Sequence, residues 1–136
     1  MSRYLVTYVA TWITMVLIDL LWLGVIAKPL YQQGIGHLMA EKPNLVAAAL
    51  FYLLYPVGIV IFAVAPDAVS ASWIKTFTAG ALLGLFAYAT YDLTNLATLK
   101  GWPVSLALVD MAWGSLVTGL SALAGKTVFD RFTSAG

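Results

Sequence analysis

Four long apolar runs constrain the fold of this chain more than any other feature. They lie at about 5–27, 44–65, 74–97 and 103–125. Each is close to the roughly 20 residues that a helix needs to cross the hydrocarbon core of a membrane. Because lipid cannot hydrogen bond to bare backbone amides, such runs fold as helices with irregular backbone only at their ends. The sequence therefore predicts one all-α domain over residues 1–136, an integral membrane bundle of four transmembrane helices.

The balance of apolar and charged residues excludes a water-soluble globule. Of the 136 residues, 62% are hydrophobic and 10% are charged, and the mean hydropathy is +0.91. Soluble domains carry about a quarter charged residues, so this chain lacks the polar surface to cover such a fold. The net charge of +1 provides no basic excess for binding nucleic acid. The absence of cysteine excludes disulfides and thiolate chemistry.

The basic residues outside the apolar runs indicate a weak preference in orientation. Four crossings place both termini and the loop at 66–73 on one face of the membrane. That face carries Arg3, Lys75, Lys126 and Arg131, and the opposite face carries Lys28, Lys42 and Lys100. The positive-inside rule therefore places both termini in the cytoplasm. Because the margin is one residue, insertion in both orientations and an antiparallel homodimer stay open.

Three aspartates interrupt the apolar runs at the same depth. Asp19 precedes the first loop, Asp92 lies near the end of the third run, and Asp110 follows the start of the fourth. At about 1.5 Å per residue, we expect all three roughly 10–14 Å below one membrane face. A charged side chain at such depth costs about 2.5–3.5 kcal/mol, so three of them indicate function. The structural alternative for each is a protonated aspartate that ties helices together by hydrogen bonds.

Aromatic and polar side chains share helix faces with these aspartates, because residues three and four positions apart stack on one side of a helix. The first helix aligns Tyr8, Trp12, Met15, Asp19 and Trp22; the fourth aligns Asp110, Trp113, Gly114, Val117 and Ser121. On the third helix, Gly80 and Gly84 form a small-residue surface that lets a neighbouring helix approach closely. The predicted ligand-binding or proton-coupling residues are Asp19, Asp92, Asp110, Trp22, Trp113, Tyr52, Tyr55, Tyr88 and Asn95.

Other aromatic and polar residues are assigned to the surface. Trp73 and Trp102 fit the aromatic belt at the membrane interface. His37, in a loop, makes a poor metal site alone. The aspartates and Asn95 offer hard oxygen ligands, yet the chain lacks the dense Asp-x-x-x-Asp pattern that holds magnesium diphosphate. We therefore predict neither a metal site nor another cofactor.

Five motifs spread over nearly the whole chain carry a family resemblance. They are DLLWLG (19–24), IGHL (35–38), FYLLYPVGI (51–59), FAYATYDLTNLATLKGWP (86–103) and VDMAWGS (109–115). With these motifs the chain resembles the small bacterial membrane proteins grouped as domain of unknown function 2177. The resemblance implies a multi-pass protein of the bacterial inner membrane. It implies no activity, substrate or cofactor, so function has to be argued from the residues.

Several carboxylates walled by aromatic rings are suited to binding cations. If the cation is a permanent charge on the ligand, we expect a proton-coupled carrier of a small cationic or amphipathic ligand. The small size of the chain and its weak orientation bias favour this alternative, by analogy with small multidrug exporters. A transient cation predicts an intramembrane isomerase or cyclase that protonates a lipid double bond, which a polar cluster in one membrane half favours. A non-catalytic partner subunit is the third alternative. Whether the chain is an enzyme stays open here, and the expected partners are membrane lipid and a small-molecule ligand.

Overall fold

A computed structural model describes residues 2–67 and 72–135, and all regular structure in these residues is helical. The elements are α1 (Arg3–Leu21), a π-helical turn (Trp22–Ile26), α2 (Lys28–Ile35), a 3-10 turn (Gly36–Leu38), α3 (Leu45–Ile59), a second π-helical turn (Val60–Val64), a second 3-10 turn (Ala65–Asp67), α4 (Trp73–Thr98) and α5 (Val104–Ala135). The predicted all-α class is confirmed. Residues 68–71 of the predicted 66–73 loop lie outside the described residues.

Three described helical segments are long and apolar enough to cross a membrane. They are Arg3–Ile26, Leu45–Val64 and Val104–Phe132. Helix α4 has 26 residues but is not among them. Its second half carries threonine, tyrosine, aspartate and asparagine, which lower its hydropathy. By length and composition, three described segments are therefore candidate membrane spans.

The described residues form five α-helices where the sequence predicted four. The additional helix is α2, which occupies the linker between the first two predicted spans and carries Pro29 in its first turn. The fixed φ of proline suits the start of a helix, while its ring prevents α1 from continuing regularly into α2. Helix α5 also runs to Ala135 rather than ending near residue 125. On this extension, Lys126 is buried and its ammonium group lies 2.7 Å from the carboxylate of Asp130.

Helix α5 is central to the packing, because it contacts both α1 and α4. Glycines bring α4 and α5 together. A Cβ atom on Gly84 would overlap the carbonyl oxygen of Gly114, and one on Gly80 would lie 2.9 Å from the Cβ atom of Ala122. The small-residue surface predicted on the third helix thus forms the contact between α4 and α5.

The buried face of α1 differs from the predicted one. Thr7, Thr11, Met15 and Asp19 are buried at intervals of four residues, whereas Tyr8 and Trp12 are only half-buried. The predicted face is right at Met15 and Asp19. Nearer the N-terminus it is wrong by one position, because Thr7 and Thr11 are buried in place of Tyr8 and Trp12. The physical reason is space: threonine fits the narrow seam against α5, where a Cβ atom on Gly125 would overlap the hydroxyl of Thr11. Larger rings do not fit this seam.

Two apolar clusters fill the interior at different levels. The larger consists of Met15, Ile59, Ala63, Val64, Val117, Ala122 and Phe129. The smaller, which we call the α2 cluster, consists of Trp102, Leu106 and Ala107 with Leu30, Tyr31, Ile35 and Leu96 packed against them. Between these clusters the helices leave a cavity.

Candidate functional site

The cavity has a volume of about 540 Å³ and receives side chains from all five helices. Its lining residues are Asp19, Leu23, Tyr31, Ile35, Phe51, Tyr52, Tyr55, Ala87, Tyr88, Tyr91, Asp92, Trp102, Leu106, Asp110 and Trp113. Aromatic rings form much of the wall. The lining residues include three carboxyl groups and, within the described chain, no lysine, arginine or histidine. An excess of buried acid is therefore the main electrostatic property of the cavity.

Asp19 is held by two hydrogen-bond donors. The Tyr52 hydroxyl donates to its Oδ2 atom at 2.5 Å, and the Trp113 indole donates to its Oδ1 atom at 2.9 Å. Both oxygens of Asp19 thus accept a hydrogen bond, which holds the carboxyl group in place. These bonds also connect α1 to α3 and α5. Asp19 therefore combines a structural role with a place on the cavity wall.

Asp110 lies at the end of a chain of hydrogen bonds. Tyr31 donates its hydroxyl proton to Oδ1 of Asp110 at 2.5 Å, and the Trp22 indole donates to the Tyr31 oxygen at 3.2 Å. Burial raises the pKa of Tyr31 above its ordinary value, and the hydrogen bond to Asp110 raises it further. The phenol consequently remains a donor to Asp110. The indole rings of Trp22 and Trp113 stack in parallel, with centroids 4.4 Å apart and an angle of 7°.

Asp92 differs from the other two aspartates because it lacks a donor. Its side chain is 0% exposed, and neither carboxyl oxygen has a hydrogen-bond partner among the described residues. Its charged neighbour is Asp110. An isolated buried carboxylate is costly, whereas a protonated Asp92 can donate to Asp110. Among the described residues, Asp92 is therefore the cavity carboxyl group that has no stabilising donor.

Five tyrosines line the cavity, and two of them, Tyr55 and Tyr88, are in ring contact with each other. Tyr88 lies over Gly114, where a Cβ atom would overlap its ring. The rings of Tyr88 and Tyr55 meet edge to face with centroids 6.4 Å apart. The Tyr55 hydroxyl lies 2.7 Å from that of Thr118, which fixes the ring on the side of the larger cluster. Glycine at 114 therefore permits Tyr88 to enter the cavity.

The structure brings together all predicted site residues except two. Trp22 lies behind the wall, where it supports Tyr31 and Trp113. Asn95 is half-buried and does not line the cavity. The carboxyl groups surround the space without meeting at one point, and the described residues contain no group of three or more histidines or acids placed to hold a metal ion.

Two cavity residues were missed or misassigned by sequence reasoning. Trp102 was assigned to the interfacial belt, which is wrong: it is 8% exposed, lines the cavity, and its indole nitrogen has no partner among the described residues. Tyr31 was missed because the linker was read as a loop. Its spacing of four from Ile35, just after Pro29, was the available signal for an inward helix face.

Fold and cavity together define a helical membrane protein with an acidic, aromatic-walled interior. The chain belongs to the family described as predicted membrane protein (DUF2177), whose family model matches residues 4–127. The resemblance inferred from the motifs is thereby confirmed. Comparison with curated proteins and with solved structures gave no match.

Proposed function

We propose that this protein is a four-span protein of the bacterial inner membrane that binds a cationic ligand in its acidic cavity in exchange for protons. In this proposal α4 supplies the fourth crossing. Its 26 residues extend about 39 Å at 1.5 Å per residue, which exceeds the roughly 30 Å of a hydrocarbon core. Close packing on α5 supports this arrangement, because it covers the small-residue face of α4. Both termini then lie on the same face, and the excess of one basic residue on that face favours the cytoplasm.

The observation that carries the proposal is the unbalanced charge of the cavity. Asp19, Asp92 and Asp110 are 4%, 0% and 6% exposed, and no basic side chain lines the same space within the described chain. Protons or a bound cation must therefore offset the negative charge. The faces of the surrounding rings attract cations most strongly where water is excluded.

Competition between a cation and a proton supplies a coupling mechanism. Asp92 and Asp110 share a proton when the cavity is empty of ligand, and a cation that enters displaces it. A carrier that alternates between these two states exchanges one for the other across the membrane. A carrier also needs an opening to the other side of the membrane. The side chains of the larger apolar cluster would therefore have to move apart during transport.

The apolar floor favours one alternative function. Tyr52, Tyr55 and Trp113 line the cavity on the side away from α2, and these rings pack against the larger apolar cluster behind them. A site that opens in one membrane half suits an intramembrane isomerase or cyclase. In this alternative, protonated Asp92 delivers its proton to a lipid double bond, Asp19 stabilises the carbocation, and the Asp92 carboxylate then removes a neighbouring C–H proton to form the product double bond. A partner subunit without ligand is the remaining alternative.

Replacement of Asp92 tests the proposal. We expect Asp92→Asn to stay folded, since shape and hydrogen-bonding capacity are kept, and to weaken cation binding by about tenfold or more. The wild-type affinity should rise with pH between about pH 5 and 9, because cation and proton compete for one carboxyl pair, and this dependence should be lost in the variant. The measurement is tryptophan fluorescence in lipid nanodiscs with a panel of trimethylammonium compounds, from tetramethylammonium to dodecyltrimethylammonium.

Glu41→Gln is the matched control, because it removes one acid from an exposed position outside the cavity. It should bind every member of the panel as the wild type does. An Asp92→Asn variant that binds normally at every pH would refute the proposed role of Asp92. If no member of the panel binds the wild type, the proposal of a cation site itself fails.

A further inference from the structure

The end of the cavity nearest α2 is closed. Helix α2 packs on the start of α5, and a Cβ atom on Gly34 would lie 3.2 Å from Pro103 and 3.3 Å from Leu106. The α2 cluster fills the space below this contact. Trp102 and Ile35 from this cluster form that end of the cavity wall. The wall at this end of the cavity therefore consists of side chains packed between α2 and the start of α5.

Most side walls of the cavity are also closed. The glycine contacts seal α4 against α5. Hydrogen bonds from Tyr52 and Trp113 to Asp19 connect α1 to α3 and α5 at the level of the cavity. Farther along, the Tyr8 hydroxyl donates to the Leu53 carbonyl at 2.8 Å and joins α1 to α3 again.

The seam between α3 and α4 is different. Helix α4 packs against the π-helical turn Val60–Val64 that follows α3, whereas α3 itself makes few backbone contacts with α4. Beside the cavity the two helices meet through the rings of Tyr55 and Tyr88, and their backbones separate toward Phe51 and Tyr91. Phe51 on α3 and Tyr91 on α4 line the cavity and are 40% and 52% exposed. These rings form the rim of a lateral opening.

The chemistry changes from the rim to the interior. Apolar side chains surround the outer part, with Leu23, Phe51 and Ala87 among them, while the carboxyl groups of Asp92 and Asp110 are buried inside. A ligand that matches both parts has a positively charged end and an apolar chain. The chain would lie between α3 and α4, where the protein faces hydrocarbon.

We propose that the cavity is a lateral binding site for a cationic amphiphile, which enters from the bilayer between α3 and α4 and places its ammonium group against Asp92 and Asp110. This inference rests on the proposed cation site and adds to it the class of ligand and the route of entry. The apolar rim admits the alkyl chain, and the α2 cluster prevents entry from the aqueous end.

Narrowing the opening tests this inference. Ala87→Phe adds a ring at the α4 side of the cavity wall, and we expect it to weaken dodecyltrimethylammonium binding by about tenfold because the alkyl chain loses its apolar contacts. Tetramethylammonium, which has no chain, should lose clearly less affinity than dodecyltrimethylammonium in this variant. The matched control is Ala97→Phe, the same substitution on an exposed position of α4 outside the cavity. It should change neither affinity.

Comparison among variants in identical nanodiscs cancels the partitioning of the long-chain compound into lipid. Thermal unfolding identifies a variant that does not fold, and Ala87→Leu then serves as the smaller substitution. If Ala87→Phe and Ala87→Leu leave both affinities unchanged, or weaken both equally, lateral entry is refuted while the cation site stands. If the wild type binds neither compound, the cation site itself is refuted.

Discussion

At the scale of single residues, the three aspartates differ in the donors that surround them. Asp19 has two donors, Asp110 has one, and Asp92 has none among the described residues. Hydrogen-bond donors hold the carboxyl groups of Asp19 and Asp110 in place, whereas nothing among the described residues holds that of Asp92 in this way. Each acid therefore has a distinct role in the proposal. Asp19 supports the cavity wall, and Asp92 and Asp110 release a proton when the cationic ligand binds.

Tyr31 gives a prediction about alkaline stability. Its pKa is raised in the folded protein by burial and by the bond to Asp110, whereas an unfolded chain releases a tyrosine proton at about pH 10. The stabilisation from this group is complete below that pH and is lost as the pH rises above it. Tyr31→Phe has no proton to release, so its melting temperature should fall less steeply than that of wild type above about pH 10.

The control for Tyr31→Phe is Tyr4→Phe, at a residue that is 50% exposed near the N-terminus. Its melting curve should follow the wild type across the same pH range. Near neutral pH, Tyr31→Phe should unfold at a lower temperature than wild type, because Asp110 loses its donor. Parallel alkaline profiles for Tyr31→Phe and the wild type would contradict the assignment.

At the scale of elements, the contact between α4 and α5 positions the cavity. Gly84 sets the distance between the two helices, and Gly114 makes room for Tyr88 one turn away. The sequence allowed this surface to be predicted, because two glycines four residues apart identify a close-packing face. The same reasoning did not extend to α1, where the choice between Thr11 and Trp12 depends on how much room α5 leaves.

Gly84→Ala should reduce the free energy of unfolding by about 1–3 kcal/mol, because the new methyl group overlaps the Gly114 carbonyl and forces α4 away from α5. Gly58→Ala is the control, since a Cβ atom there meets nothing within 4 Å. Both variants can be compared by thermal unfolding in the same lipid. Equal stability of the two variants would show that α4 and α5 approach less closely than described.

At the scale of the whole molecule, the number of crossings determines where the termini lie. Three segments are long and apolar enough to span, and α4 is the proposed fourth. With four crossings the N-terminus and C-terminus lie on the same side, and with three they lie on opposite sides. Reporter fusions at each terminus should therefore give the same cytoplasmic signal in most molecules.

A fraction of molecules with both termini outside would support the antiparallel homodimer suggested by the weak charge bias. A cytoplasmic signal at one terminus and an external signal at the other would show that α4 does not cross. The control is a fusion at the exposed linker near Glu41, which should report the opposite side from both termini.

The sequence predicted the general location of the site better than its boundary. Residues within long helices, such as Asp19 and Asp92, were predictable because helix geometry relates spacing to depth. Tyr31 and Trp102 were not, because both follow from the way a short helix folds back over the bundle, which depends on tertiary contacts with Leu106. Asn95 shows the converse error: proximity to Asp92 in sequence did not place it on the cavity wall.

The stacked indoles of Trp22 and Trp113 give the molecule a built-in optical probe. Two stacked rings with centroids 4.4 Å apart couple their electronic transitions, which redistributes the intensity of their ultraviolet absorption bands. One ring follows the end of α1 and the other lies on α5, so the intensity of these bands reports the relative position of two membrane helices. A movement that separates α1 from α5 would be recorded without an attached label.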